Sequence, residues 1–122
     1  MKTLIPSAKE VPTYVIDGRK AVAWPDFVNS INAFIPNSEW QGNSLDALDD
    51  ILYSGYGAPD RFIVVWTASE ASRKALGYEA TRDYYKRLPD FDQLYEAGLI
   101  TTLFDMVVGI FRGHENIELR LE

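Results

Sequence analysis

The chain has 122 residues, 47% hydrophobic and 25% charged, the balance of one soluble globular domain that buries its core unaided. It holds no cysteine, which excludes a disulfide framework and a thiolate metal site and fits a reducing compartment. The formal net charge of −6 argues against direct nucleic-acid binding, since phosphate backbones are repelled, and suits a basic partner.

Residues 1–12 read as an irregular arm. Lys2 is followed by Pro6, Lys9 and Glu10 before any apolar run forms, so no targeting signal is expected. No stretch approaches the roughly 20 apolar residues of a membrane span. A cytoplasmic protein without membrane contact is the resulting expectation.

The first strand is expected at Tyr14, Val15 and Ile16, with Asp17-Gly18 as its turn. Pro25 and Asp26 suit the first turn of a helix, along which Phe27, Val28, Ile31, Phe34 and Ile35 recur at helical spacing. Pro36 stops it, and Trp24 packs ahead of it as a staple. A second helix lies within "WQGNSLDALDDILY", residues 40–53, with Asn43 or Ser44 as N-cap and Asp46 in the first turn. Gly55, Gly57 and Pro59 then mark a loop.

"RFIVVW", residues 61–66, is a nearly unbroken apolar run, as in a strand covered on both faces. Ser69 is placed to cap the next helix, which Gly77 weakens and Pro89 ends. Tyr84 or Tyr85 is expected on the core. "DFDQLYEAG" is compatible with a helical turn or a loop. "LITTLFDMVVGIF" reads as a buried helix stopped at Gly113. In "NIELRLE", Ile117, Leu119 and Leu121 alternate with Glu118 and Arg120, giving a strand with one covered face. The order predicts an α/β fold over 1–122 in a single domain: three parallel strands packed with helices, joined by right-handed crossovers. The crossover from Trp66 to Asn116 is expected to hold two or three helices.

The second helix concentrates like charge. Leu45, Leu48 and Leu52, with Ile51 beside them, form a core-facing stripe. Asp46 and Asp50 lie four residues apart on another face, bordered by Asp49 and Tyr53. Such pairs repel by roughly 0.2–0.5 kcal/mol each, and no basic residue stands between Trp40 and Gly57 to offset it. Carboxylates crowded on one helix make a poor cage for a hard cation, and neighbours on an exposed helix do not flank a glycosidic bond. The flanking aromatics, Trp40, Tyr53 and Tyr56, are residue types that anchor protein interfaces, and Gly42 admits close backbone approach. No cofactor, metal or catalytic residue is assigned. His114, the single histidine, is read as a helix-end residue whose protonated ring would suit the dipole.

"WQGNSLDALDDIL" resembles the helix motif of the barstar family, inhibitors of the ribonuclease barnase. The matching residues are Trp40, Gly42, Asn43, Ser44, Leu45, Asp46, Ala47, Leu48, Asp50, Ile51 and Leu52. "YVIDG", "FIVVW" and "IFRGHENIELRL" resemble the family's opening strand, central strand and closing helix-strand unit, so the likeness covers about residues 14–68 and 103–122. It implies a three-stranded parallel sheet packed by helices. It also implies a non-catalytic inhibitor that lays its acidic helix across a nuclease's active site, one to one. Asp50 would stand in for an RNA phosphate, Asp46 would be its neighbouring contact and Trp40 would pack on the enzyme's rim. The implied partner-binding set is Trp40, Gly42, Asn43, Ser44, Asp46, Asp49, Asp50 and Tyr53. The chain departs from the family where Asp49 replaces a tryptophan, where Gly113 replaces an acidic residue, and in an insertion near 77–99. These departures favour a ribonuclease toxin other than barnase, with this chain as its immunity protein. The alternative reading is a protein-interaction or regulatory module for a basic partner that is not a nuclease.

Overall fold

A computed structural model describes residues 11–35, 44–53 and 58–122. Three strands, β1 (Thr13–Asp17), β2 (Phe62–Thr67) and β3 (Ile117–Leu121), form one sheet in the order β1-β2-β3. Both pairings are parallel: Val15 aligns with Val65, and Val65 with Arg120. The fold is therefore α/β with a three-stranded parallel sheet, as the element order predicts. Of the expected irregular arm, only residues 11 and 12 are described, and they form neither helix nor strand.

Helices α1 (Trp24–Phe34) and α2 (Leu45–Ile51) connect β1 to β2. The second crossover holds four helices among the described residues, where two or three were expected: α3 (Ser69–Ala75), α4 (Tyr78–Tyr84), α5 (Phe91–Glu96) and α6 (Leu103–Arg112). Gly77 divides α3 from α4. The ambiguous stretch "DFDQLYEAG" is helical and ends at Gly98, whose φ of +79° lets the Leu99 N–H fold back to the Leu94 carbonyl.

The sheet corrects one expectation. The strand β2 is not sealed on both sides: Phe62, Val64 and Trp66 are buried, whereas Ile63, Val65 and Thr67 are only half covered. The cause is topological. Right-handed crossovers that step in one direction across a sheet place their helices on the same face. The opposite face stays open, with Val15 61% exposed at its edge. The apolar run in β2 reflects its central position between two strands, not two helical layers.

The core lies between the inner sheet face and the helices. Phe27 stacks on Trp66 with ring centroids 5.4 Å apart, and Trp66 meets Phe104 at 5.0 Å. Ile16, Ile31, Val64, Leu76 and Phe111 are fully buried around them. Trp24 is the first residue of α1 rather than a residue ahead of it. It stacks on Phe27 and meets the ring of Tyr84 edge-on. Ser69 does not cap α3. Ala68 occupies that position in a left-handed conformation, φ 48°, and Ser69 turns its hydroxyl to the Glu122 carbonyl at 3.1 Å.

Candidate functional site

The seven residues of α2 fall short of the length at which a helix holds itself in water, so its position rests on tertiary contacts. Leu48 and Leu52 are fully buried and Ile51 nearly so, while Leu45 is half covered against the same core. The expected leucine stripe therefore anchors the helix. Of the two possible N-caps, Ser44 is described and holds the position: its backbone is extended, and its hydroxyl accepts from the Ala47 N–H at 3.2 Å. Asn43, Gly42 and Trp40 lie outside the described residues, as does Tyr56.

The three carboxylates do not share one environment. Asp46 and Asp50 are exposed, and among the described residues neither is in a salt bridge. Asp49 is half-buried, with its Oδ1 2.7 Å from Nε2 of His114. Tyr53, just past the helix, is half exposed and meets the His114 ring edge-on, centroids 4.5 Å apart. Asp49, unlike Asp46 and Asp50, is thus engaged by a distant segment of the chain. His114 lies at a helix end, as expected, directly after the C-cap of α6. It is 4% exposed, and its ring turns toward α2.

Between α2 and α6 runs an open groove lined by Leu45, Asp46 and Asp49 on one side and Met106, Gly109, Ile110 and Gly113 on the other. A Cβ added at Gly109 would meet nothing within 4 Å, so that wall is bare backbone. The end of α4 closes in from the side. Burial pushes the Tyr84 and Tyr85 phenols up from their ordinary value near 10, and the negative charge of Asp46 adds to both shifts. Tyr85 Oη also reaches the Met106 sulfur at 3.9 Å. Two tyrosines from the second crossover thereby border the acidic helix.

Among the described residues, no group of three or more His, Asp or Glu is placed to hold a metal ion. None of their helices is long and apolar enough to cross a membrane.

The contribution of His114, and of Tyr84 and Tyr85, escaped sequence reasoning. His114 is 65 residues from Asp49, and no periodic pattern relates them. The one available hint was compositional: the chain has a single histidine.

A three-stranded parallel sheet packed with helices agrees with what the chain matches. Comparison with curated proteins gives no match. Over residues 11–98 the chain matches the family model described as Barstar (barnase inhibitor), and it therefore belongs to the barstar family.

Proposed function

We propose that the chain is a non-catalytic inhibitor that binds a basic nuclease one to one and covers its active site, with Asp46 and Asp50 replacing substrate phosphates. The observation that carries this reading is the state of those two side chains. They are exposed, in no salt bridge among the described residues, and mounted on a helix fastened to the core by Leu48, Ile51 and Leu52. A carboxylate without a cation of its own is available to arginine, lysine or histidine groups that hold phosphate in a nuclease. Descent from a family of barnase inhibitors supports inhibition rather than catalysis. The partner is a ribonuclease toxin, this chain its cytoplasmic immunity protein, and Tyr53, Trp40, Gly42, Asn43 and Ser44 flank the charged contact.

Co-purification with the product of the adjacent reading frame, followed by titration of its ribonuclease activity, tests the proposal. Inhibition at one chain per enzyme, weakened by Asp50→Ala by about 2–5 kcal/mol, is the expected outcome for a fully desolvated charge pair. Binding without loss of nuclease activity, or to a basic protein that is not a nuclease, would favour the regulatory alternative. Full inhibition by the Asp50→Ala chain would remove the phosphate-mimic assignment.

A further inference from the structure

His114 follows Gly113, the residue that caps α6, and its side chain is 2% exposed. A carboxylate only accepts, so in the 2.7 Å contact with Asp49 the proton belongs to His114 Nε2. The other ring nitrogen, Nδ1, is buried and has no partner among the described residues. Among the described residues the ring is therefore hydrogen-bonded through Nε2 alone.

An apolar side chain would fill this volume with no polar atom left over. What the histidine adds is direction. Apolar contacts from Leu48, Ile51 and Leu52 hold α2 down but restrain its rotation about its own axis weakly, because hydrophobic burial is non-directional. Directional contacts from the α6–β3 corner fix that rotation: His114 donates to the Asp49 side chain at 2.7 Å, Asn116 Nδ2 donates to the Leu52 carbonyl at 3.4 Å, and Tyr53 packs on the His114 ring. Asp46 and Asp50, one turn apart, are aimed by whatever fixes Asp49 between them.

We propose that His114 is a positioning residue: by holding Asp49 and backing Tyr53 it presets the rotation of α2, so that Asp46 and Asp50 face a partner before encounter. The consequence for affinity rests on the inhibitory reading above. The consequence for the free chain does not.

The test has two arms. In the free chain, NMR of the His114 ring is expected to show its Nε2 proton held in a hydrogen bond, and amide exchange across residues 47–53 is expected to be slow. His114→Phe keeps an aromatic ring but loses the donor; it should speed exchange there while leaving β2 protected. His114→Gln, whose amide can donate to Asp49, should restore protection, as should Asp49→Asn, which keeps an acceptor and drops the charge. Equal protection of α2 in the Phe variant, or a His114 Nε2 proton that exchanges as fast as that of an exposed histidine, would overturn the proposal. Should the Phe variant fail to fold, Asp49→Ala, which removes the acceptor and keeps the ring, carries the same comparison. In the second arm, the co-purified nuclease should bind His114→Phe about threefold to tenfold more weakly, the cost of ordering one or two side chains on association. A well-folded Phe variant with loosened α2 and unchanged affinity would overturn the presetting role. If the free-chain arm succeeds and no nuclease is bound by the parent chain, the inhibitory reading fails and the positioning role of His114 stands.

Discussion

Trp66 donates its indole N–H to the Ser72 hydroxyl at 2.9 Å in the middle of the core. Ser72 in turn has one proton for two carbonyl oxygens, Gly18 and Ala21, each 3.1 Å away. One hydroxyl thus joins the central strand, the helix after it and the turn after β1. Ser72→Ala leaves a buried indole N–H without a partner and should lower the unfolding free energy by about 1–3 kcal/mol. Urea denaturation followed by tryptophan fluorescence measures this. A variant as stable as the parent would show that water or a local shift replaces the hydroxyl.

Two glycines should respond to alanine with opposite signs. A Cβ at Gly18 would sit 2.3 Å from the backbone oxygens of both Thr67 and Ala68, and the Gly18 N–H already binds the Thr67 oxygen at 2.7 Å. Backbone on both sides leaves nothing soft to move, so Gly18→Ala should destabilise by at least about 1–3 kcal/mol. Gly109 lies inside α6 with open space where its Cβ would be. Gly109→Ala should stabilise by about 0.5–1 kcal/mol, because it removes backbone freedom from the unfolded chain. Thermal melts of the two variants decide both signs.

The acidic helix leaves a trace in the alkaline stability of the chain. Burial raises the phenols of Tyr84 and Tyr85, and Asp46 raises them further. The folded state therefore keeps these protons more tightly than the unfolded chain, where a tyrosine titrates at about 10. Their contribution to stability is intact below that pH and fades as pH rises through the higher folded values. Replacing both with Phe should flatten the alkaline limb of a stability–pH curve. At neutral pH, Tyr84→Phe should cost only the contact between its hydroxyl and the Leu45 backbone. An alkaline limb of the same slope in the double variant would assign the loss to other groups.

Much of the fold could be read from residue order, because each element carries local marks. Pro25 and Asp26 open α1, Ser44 opens α2, and alternation in β3 names its covered face. Gly113 closes α6 for the same kind of reason. The errors came where tertiary geometry decides. The apolar run in β2 says that the strand is central but not whether one or two helical layers cover it; crossover direction decides that. Ser69 has the chemistry of a cap, yet the left-handed turn at Ala68 displaces it into the helix. At the candidate site, the helical face of Asp46 and Asp50 follows from spacing alone. The bond from His114 to Asp49 and the approach of Tyr84 and Tyr85 to Asp46 do not, since each joins segments that only the completed fold brings together.

Charge on α2 should govern how fast the partner is found, and charge elsewhere should not. Asp46 and Asp50 are exposed on one side of the helix, whereas Glu118 lies on the open face of the sheet, paired with Arg120 at 2.6 Å. Complementary potentials steer encounter, and added salt screens them over about 10 Å at 0.1 M. Association of the parent chain with the proposed nuclease partner should therefore slow as salt rises. The Asp46→Asn and Asp50→Asn chains should each associate more slowly at low salt and show a shallower salt dependence. Glu118→Ala should leave the rate and the slope nearly unchanged, since Glu118 is on the open face of the sheet rather than on α2. Stopped-flow association across a salt series separates these cases. A Glu118 variant that slows as much as the Asp50 variant would mean that overall acidity, not the face of α2, draws the partner in.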